Sequence, residues 1–513
     1  MENNVETKKQ YGSVVTEYKH PFRKLPTYTL KKKNKPLPKP GFVIKISIVL
    51  ILFAALLAFV LWAFSTNPYH PLGKFPKKIT LKTNSKGEYE VVSTISIKAK
   101  MDKFSQMLAY AKSGFHILVQ SAFLSDRKYK GTYEEIRDDI YKERFNPQKP
   151  YLIAGDHFSV LYPRNLGVFY NSILNKRTFV NAKDWKNRQE IYINSIFFAL
   201  ESFNSCGGLF TTIVPVSEDT VTCIQVYAYP SDSLYSVLYA LRVLESQNET
   251  KKIAQFFKSK YSETITSLYK QYQETIVDPK TNLPKKGVHF SGTKDITRHD
   301  RSFYDSVMIW KTESLMQDLG FVKNDPVKLI KQKQMILNTY WDKDSGYFLE
   351  DLSEQSIKEK YYSSDWLVVL FTGFLDPENK ADRNYYLSVY KYIKKVELDK
   401  PFGLAYHKDP RRGRQEPIVR LVANEYGATA IWSFWGSQYA KMLGLLCKQD
   451  QIGNVCSDYE KQIGLYEDNV VRFGGYSEVY DKHGEIFDRP FYRSMLHTGW
   501  IIDLEDARQI LKK

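Results

Sequence analysis

Cysteine and histidine are scarce in this chain of 513 residues, which has four of the first and nine of the second. The histidines are dispersed without ligand spacing, and no C-x-x-C pair is present, so neither a zinc site nor a thioredoxin-type redox centre is expected. Also lacking are a Gly-rich phosphate loop, a dinucleotide fingerprint after a strand, a nucleophile elbow and a His-Glu-x-x-His helix. Nucleotide, serine-hydrolase and zincin chemistry are left without carriers, and the expected cofactor and metal content is none. Acid is short relative to base, 57 against 74 residues, for a net charge of +17. Residues 1–45 hold eleven Lys or Arg against three Glu. Such an excess can mark nucleic-acid binding. Here it stands beside an apolar run and reads as membrane topology, so no nucleic-acid partner is expected.

The apolar run is Ile46–Phe64, free of charge and roughly the 20 residues that cross a bilayer. Its length and its terminal Trp62 and Phe64 favour a retained anchor over a cleaved signal peptide. The expected organisation has four parts. Residues 1–41 form a disordered, basic, Pro-rich cytoplasmic tail. Residues 42–64 form a transmembrane signal anchor. Residues 65–100 form a stalk with a β-hairpin turning at Asn84–Gly87. Residues 101–513 form the main domain, outside the cytoplasm. This makes a single-pass membrane protein with its N-terminus in the cytoplasm. In an oxidising compartment Cys206–Cys223 would staple a strand pair and Cys447–Cys456 a turn between helices. Four cysteines allow three pairings, and free buried thiols are the alternative.

Aromatic residues are abundant, with 37 Tyr and 30 Phe. Tyrosine suits both helix packing and a sugar-lined cleft, and packing accounts for most of it. An acidic, aromatic loop followed by an apolar helix recurs six times, at Asp156, Asp232, Asp305, Asp365, Glu425 and Tyr492. The anchors stand 60 to 76 residues apart. More polar helices are expected between them, at residues 185–201, 253–276, 327–340, 383–394 and 459–466. Alternation at a long period marks a repeat whose units bury their faces only together. The fold class read from this is mainly α, an (α/α)6 toroid with short β-hairpin insertions.

From Phe104 onward the chain resembles the six-hairpin (α/α)6 glycosidase superfamily, which contains glucoamylase, trehalase and the processing glucosidases. The motifs are the acidic starts of the inner helices, the loop Arg298-His299-Asp300-Arg301-Ser302-Phe303-Tyr304-Asp305, and Gly474-Gly475-Tyr476-Ser477-Glu478. The resemblance implies a glycoside hydrolase, probable inverting in stereochemistry, acting on a carbohydrate substrate. It places the acid before the third inner helix, at Asp300 or Asp305, and the base before the sixth, at Glu478. Two carboxyl groups roughly 6.5–9.5 Å apart would admit the attacking water. Asp305 stands at a helix start, which tends to lower a carboxyl pKa, and Arg298 and Arg301 flank Asp300, so the choice stays open. For Glu478 the alternative is a solvated strand-end glutamate.

Substrate contacts are expected from Asp156, His157 and Arg164, from Asp232, Arg301 and Tyr304, and from Asp365, Trp366, Glu425 and Tyr426. Tyr476 and Tyr480 would frame a sugar beside Glu478. Helix capping is the plain alternative for the acids. The Arg411–Arg414 loop is an anion-site candidate with a solvated loop as its alternative. Two other functions fit the same frame. One is a sugar epimerase or polysaccharide lyase with a base at His157, His299 or His407. The other is a non-catalytic glycan-binding or envelope surface protein.

Overall fold

The structure is a computed structural model that describes residues 40–65, 78–123, 127–227, 230–287, 293–294, 297–410, 414–450 and 453–512. The expected disordered tail, apart from Pro40 and Gly41, and Arg411 and Arg412 of the basic loop lie outside them. The chain divides into two units, residues 1–56 and 57–513, with the boundary inside helix α1 (Pro40–Ser65). Side chains are described in α1 from Val49 to Trp62. Among the described residues no helix is long and apolar enough to cross a membrane. The anchor expected at residues 42–64 therefore has no support from them beyond its helical backbone.

The second unit is mainly α. A hairpin pairs Thr80–Thr83 with Tyr89–Ser93 across a turn in which Asn84 Oδ1 accepts from the Lys86 and Glu88 amides. Ile79, Tyr89 and Ile97 are buried in the same core as the helices. The stretch read as a stalk thus packs on the domain from Ile79 onward. Then come α2 (Lys103–Phe123), α3 (Tyr133–Arg144) and α4 (Ala182–Cys206). Next are α5 (Ser231–Glu245), α6 (Lys251–Lys260), α7 (Ser262–Thr275), α8 (Phe303–Asp318) and α9 (Pro326–Tyr340). The short α10 (Glu354–Glu359), α11 (Val368–Thr372) and α12 (Lys380–Val396) lead to α13 (Pro417–Val422). The chain closes with α14 (Ser433–Asp450), α15 (Gly453–Phe473) and α16 (Ile501–Arg508).

Local chemistry sets these boundaries. Thr132 and Glu135 form a reciprocal capping box on α3, and Ser302 and Asp325 cap α8 and α9, the latter with Pro326 in its first turn. Inner helices α5, α8 and α16 bury nearly every side chain, whereas α6, α9 and α12 keep a polar face. Around the inside, α5 packs on α8, α8 on α11, α11 on α14, and α14 on α16. The first recurrence departs from its expected form. Residues 156–175 run as turns about a single 3-10 stretch, Pro163–Leu166, because Pro163, Gly167, Asn171 and Asn175 interrupt any longer helix. This segment packs on α5 and fills the remaining inner place. The α4 segment, expected to be half-polar, is buried almost all round from Arg188 to Phe203, beneath the strand pair Thr212–Pro215 and Thr220–Ile224. Disulfides join Cys206 to Cys223 and Cys447 to Cys456. The result is a toroid-like α/α arrangement of inner and outer helices.

Asp506 on α16 closes the ring onto its beginning. It is buried, and it accepts from Asn175 Nδ2 at 2.6 Å, Arg177 at 3.0 Å and Ser172 at 3.3 Å, with Lys441 at 2.6 Å. Burial opposes its charge, but Lys441 and Arg177 hold its pKa below the usual carboxylate value. A depressed pKa stabilises the fold above the unfolded carboxyl value and loses that stability as pH falls through the folded one. Asp506→Leu leaves Lys441 without its partner and is expected to cost about 3–5 kcal/mol, read as a lower urea midpoint at pH 7 and a smaller difference near pH 3.

Candidate functional site

Glu478 is set by its backbone before its side chain. The left-handed Gly474 (φ +68°) has space for no Cβ, which would lie 2.5 Å from the Tyr129 carbonyl; one on Gly475 would lie 2.4 Å from the Leu496 carbonyl. The turn therefore packs tightly against both neighbours, and the chain emerges as a strand, Val479–Tyr480, paired antiparallel with Ile431–Trp432. The Glu478 amide donates to the Met495 carbonyl at 3.0 Å, and its carbonyl accepts from the Ser433 amide at 3.0 Å. The side chain is 2% exposed. Tyr492 donates to Oε2 at 2.5 Å and Tyr426 to Oε1 at 3.1 Å.

This carboxylate lies on the wall of a cavity of about 240 Å³. Trp432 and Trp500 line it with their rings stacked at 6.3 Å, and Phe169 lies against Trp500 at 4.4 Å. Arg164, Asn165 and Thr293 supply polar lining. Arg164 pairs with the buried Asp232 at 3.2 Å and lies 3.8 Å over the Tyr227 ring. Burial raises the Asp232 pKa against the pull of Arg164 and the Tyr304 hydroxyl, which donates to it at 3.2 Å. Of the expected site residues, the structure brings Arg164, Tyr426 and Glu478 onto this cavity, with Asp232 and Tyr304 behind Arg164.

The others stand elsewhere. Asp305 is fully buried at the start of α8, where Ser231 and Ser302 donate to its carboxylate and its own amide donates to Ser302. Burial pushes its pKa up to about 6, against the helix-start expectation. Asp300 is half-buried and accepts from the Gly287 amide at 2.9 Å. Neither lines the cavity, whose only carboxylate among the described residues is Glu478. Asp156 is ion-paired to Arg144 at 2.8 Å; burial opposes its charge, but Arg144 holds its pKa at about 2. Burial keeps His157 neutral, with a pKa of about 4. Trp366 is core, donating to the Tyr362 hydroxyl at 3.0 Å. Tyr476 shares a hydrogen bond with Ser437 at 2.6 Å and Tyr480 accepts from the Ser477 amide, both wholly buried. Glu425, in a left-handed conformation, is bound by Arg489 and Lys482. Arg301 is also left-handed, its carbonyl accepting from Tyr340.

A second buried charge network stands behind the Thr293 wall. Glu350 receives Lys294, Arg414 at 2.6 Å and His299 at 3.1 Å, with His407 at 3.8 Å. Arg414 also reaches Asp351 at 3.0 Å. Burial opposes the Glu350 charge; Lys294 and Arg414 outweigh it and hold its pKa well below the carboxylate range. Asp365, beside it, is raised to about 6 by burial and by the Glu350 charge. Sequence reading missed Glu350, which follows a short aromatic strand with no flanking motif. It also missed Trp432 and Trp500. Tyr492 anchored the sixth recurrence without being taken for a site residue.

Glu350→Gln leaves the buried Lys294 without its carboxylate and Arg414 with Asp351 alone, an expected loss of about 3–5 kcal/mol. The native carboxylate stabilises above an unfolded pKa of about 4.3 and ceases to do so as pH falls through its lower folded value. Acid-unfolding curves should therefore be flatter below pH 4 in the variant. Equal curves would contradict the network's role.

No family model matches the chain, and no curated protein does. Among solved structures it is similar to a rhamnosidase from Klebsiella oxytoca with rhamnose bound. Identity there is 11%, with 76% of this chain and 65% of that one covered, at a TM-score of 0.46. It is similar to a D-mannose isomerase at 12% identity, covering 74% and 96%, TM-score 0.47. A glucoamylase from Saccharomycopsis fibuligera matches at 11%, covering 76% and 98%, TM-score 0.44.

Proposed function

We propose that this protein is a membrane-anchored glycoside hydrolase in which Glu478 is the general base. The observation carrying this is a buried carboxylate, oriented by two tyrosine hydroxyls, on the wall of an aromatic cavity. Hydrogen bonds to the ionised form favour it, so Tyr426 and Tyr492 keep Glu478 ready to take a proton from water. Trp432 and Trp500 offer apolar faces for a sugar ring. At about 30 Å³ per water, the cavity has the volume of roughly eight water molecules, suited to one sugar ring. An inverting reaction needs a protonated acid opposite the base. The loop leading into α8 is the proposed source, with Asp300 and Asp305 as its candidates. A same-fold epimerase is the second reading, favoured by Glu478 being the one lining carboxylate among the described residues and by His299 and His407 around Glu350.

Glu478→Gln is expected to lower kcat about 10²–10⁴-fold on whichever glycoside a substrate screen identifies. Tyr492→Phe removes a donor that orients the carboxylate and should lower kcat while sparing the fold. Proton NMR of the first product should show the inverted anomer. Undiminished turnover by Glu478→Gln would sink the assignment, and an epimerised sugar without hydrolysis would favour the second reading.

We also infer that residues 42–64 span a bilayer and hold the main domain outside the cytoplasm. The uncharged run Ile46–Phe64 and its helical backbone support this. The two disulfides suit an oxidising compartment. The full chain should stay with membranes after alkaline carbonate and its main domain should resist external protease in sealed microsomes. Release by carbonate would refute the anchor.

A further inference from the structure

The described lining of the cavity is of two chemical kinds. Glu478, Tyr426, Tyr492, Arg164 and Asn165 are polar, with Tyr162, Tyr227 and Thr293. Ile117 from α2, Phe158, Val226, and Val419, Val422 and Ala423 from α13 and its end are hydrocarbon. A sugar is covered with hydroxyl groups, and each one that is desolvated without a partner costs free energy. These six side chains offer such groups no partner, so this part of the lining matches an apolar group better than a sugar hydroxyl.

Exposed apolar side chains stand on the same segments. Val226 both lines the cavity and is 44% exposed; Leu118, next in sequence to Ile117, is 42% exposed; Leu421, next to Val422, is 71% exposed; Phe491, next to Tyr492, is 50% exposed. Four separate segments thus carry a large exposed apolar side chain at a lining residue or one position from it. Single exposed apolar residues are ordinary, whereas several on the segments that line one cavity point to binding.

We propose that the hydrocarbon side is an aglycone subsite, so that the substrate is a glycoside of a lipid-like alcohol, its sugar at Glu478 and its alkyl chain leaving past Val226 and Leu421. This rests on the hydrolase reading for the sugar end alone; the apolar subsite follows from the wall itself. Hydrolysis then adds water across the glycosidic bond. The hydroxyl goes to the sugar carbon, and the alkoxy oxygen takes a proton and departs as the free alcohol.

The test uses the full chain in lipid nanodiscs, titrated with methyl, propyl and hexyl glycosides of glucose, mannose and galactose, read by tryptophan fluorescence. For the sugar that fits, affinity is expected to rise about fourfold per methylene. Val422→Asp should abolish that slope. Val226→Ser, a milder change at a part-exposed position, should reduce it and keeps the test decisive if the first variant misfolds. A flat series for every sugar overturns the subsite, and if methyl glycosides are nevertheless hydrolysed the hydrolase reading survives. A slope unchanged in both variants also overturns it, because the chain then binds elsewhere. A slope that responds to the variants without any hydrolysis upholds the subsite and sinks the hydrolase reading.

Discussion

A carboxylate with no access to water, Glu350, is the constraint on which the upper face of this ring depends. Its partners come from two stretches far apart in sequence: Lys294 and His299 before α8, and His407 and Arg414 between α12 and α13. Burying an ion costs several kcal/mol, and only close, well-directed partners repay it. The pair of Lys294 and Arg414 does so here, and the consequence is geometric. Thr293, adjacent to Lys294, faces the cavity and lies 3.3 Å from the Tyr406 hydroxyl, which also accepts from Trp435 at 2.8 Å. One ionic centre thereby fixes the Thr293 wall and the start of the segment leading into α13.

Glu478 depends on a different economy. Its main chain is tied to Met495 and Ser433, and the hydroxyls of Tyr492 and Tyr426 donate to its side chain. Two donors on different oxygens fix the plane of the carboxylate. In a site walled by Trp432, Trp500 and Phe169 the local dielectric is low, and each such hydrogen bond is stronger than it would be in water.

Much of the ring was legible in the sequence because it rests on local signals. Apolar periodicity marked α5, α8 and α14, and Ser302 with Asp305 marked a helix start. The acids that looked functional carry such local contacts as well. Asp305 accepts from the hydroxyls of Ser231 and Ser302, and Trp366, Tyr476 and Tyr480 pack the interior. The first inner segment failed as a helix because Pro163 and a set of asparagines outweighed its apolar content. Glu350 was illegible for a plain reason: its meaning lies wholly in residues 51 to 64 positions away. Trp432 and Trp500 were visible as apolar residues, but only the pairing of Ile431–Trp432 with Val479–Tyr480 puts them beside Glu478.

The polar and hydrocarbon sides of the cavity come from different parts of the chain. The ring supplies Arg164, Trp432, Glu478 and Trp500, which lie in or next to segments buried on the inside of the toroid. Much of the hydrocarbon lining comes from α2 and α13, with Phe158 and Val226 from the loops between, and α2 and α13 keep Leu118 and Leu421 in solvent. Side chains from α2 and α13 that cannot hydrogen-bond thus share a cavity with Glu478. In the proposed subsite they sort what enters by its apolar part, so a polar substitution at Val422 should weaken that selection.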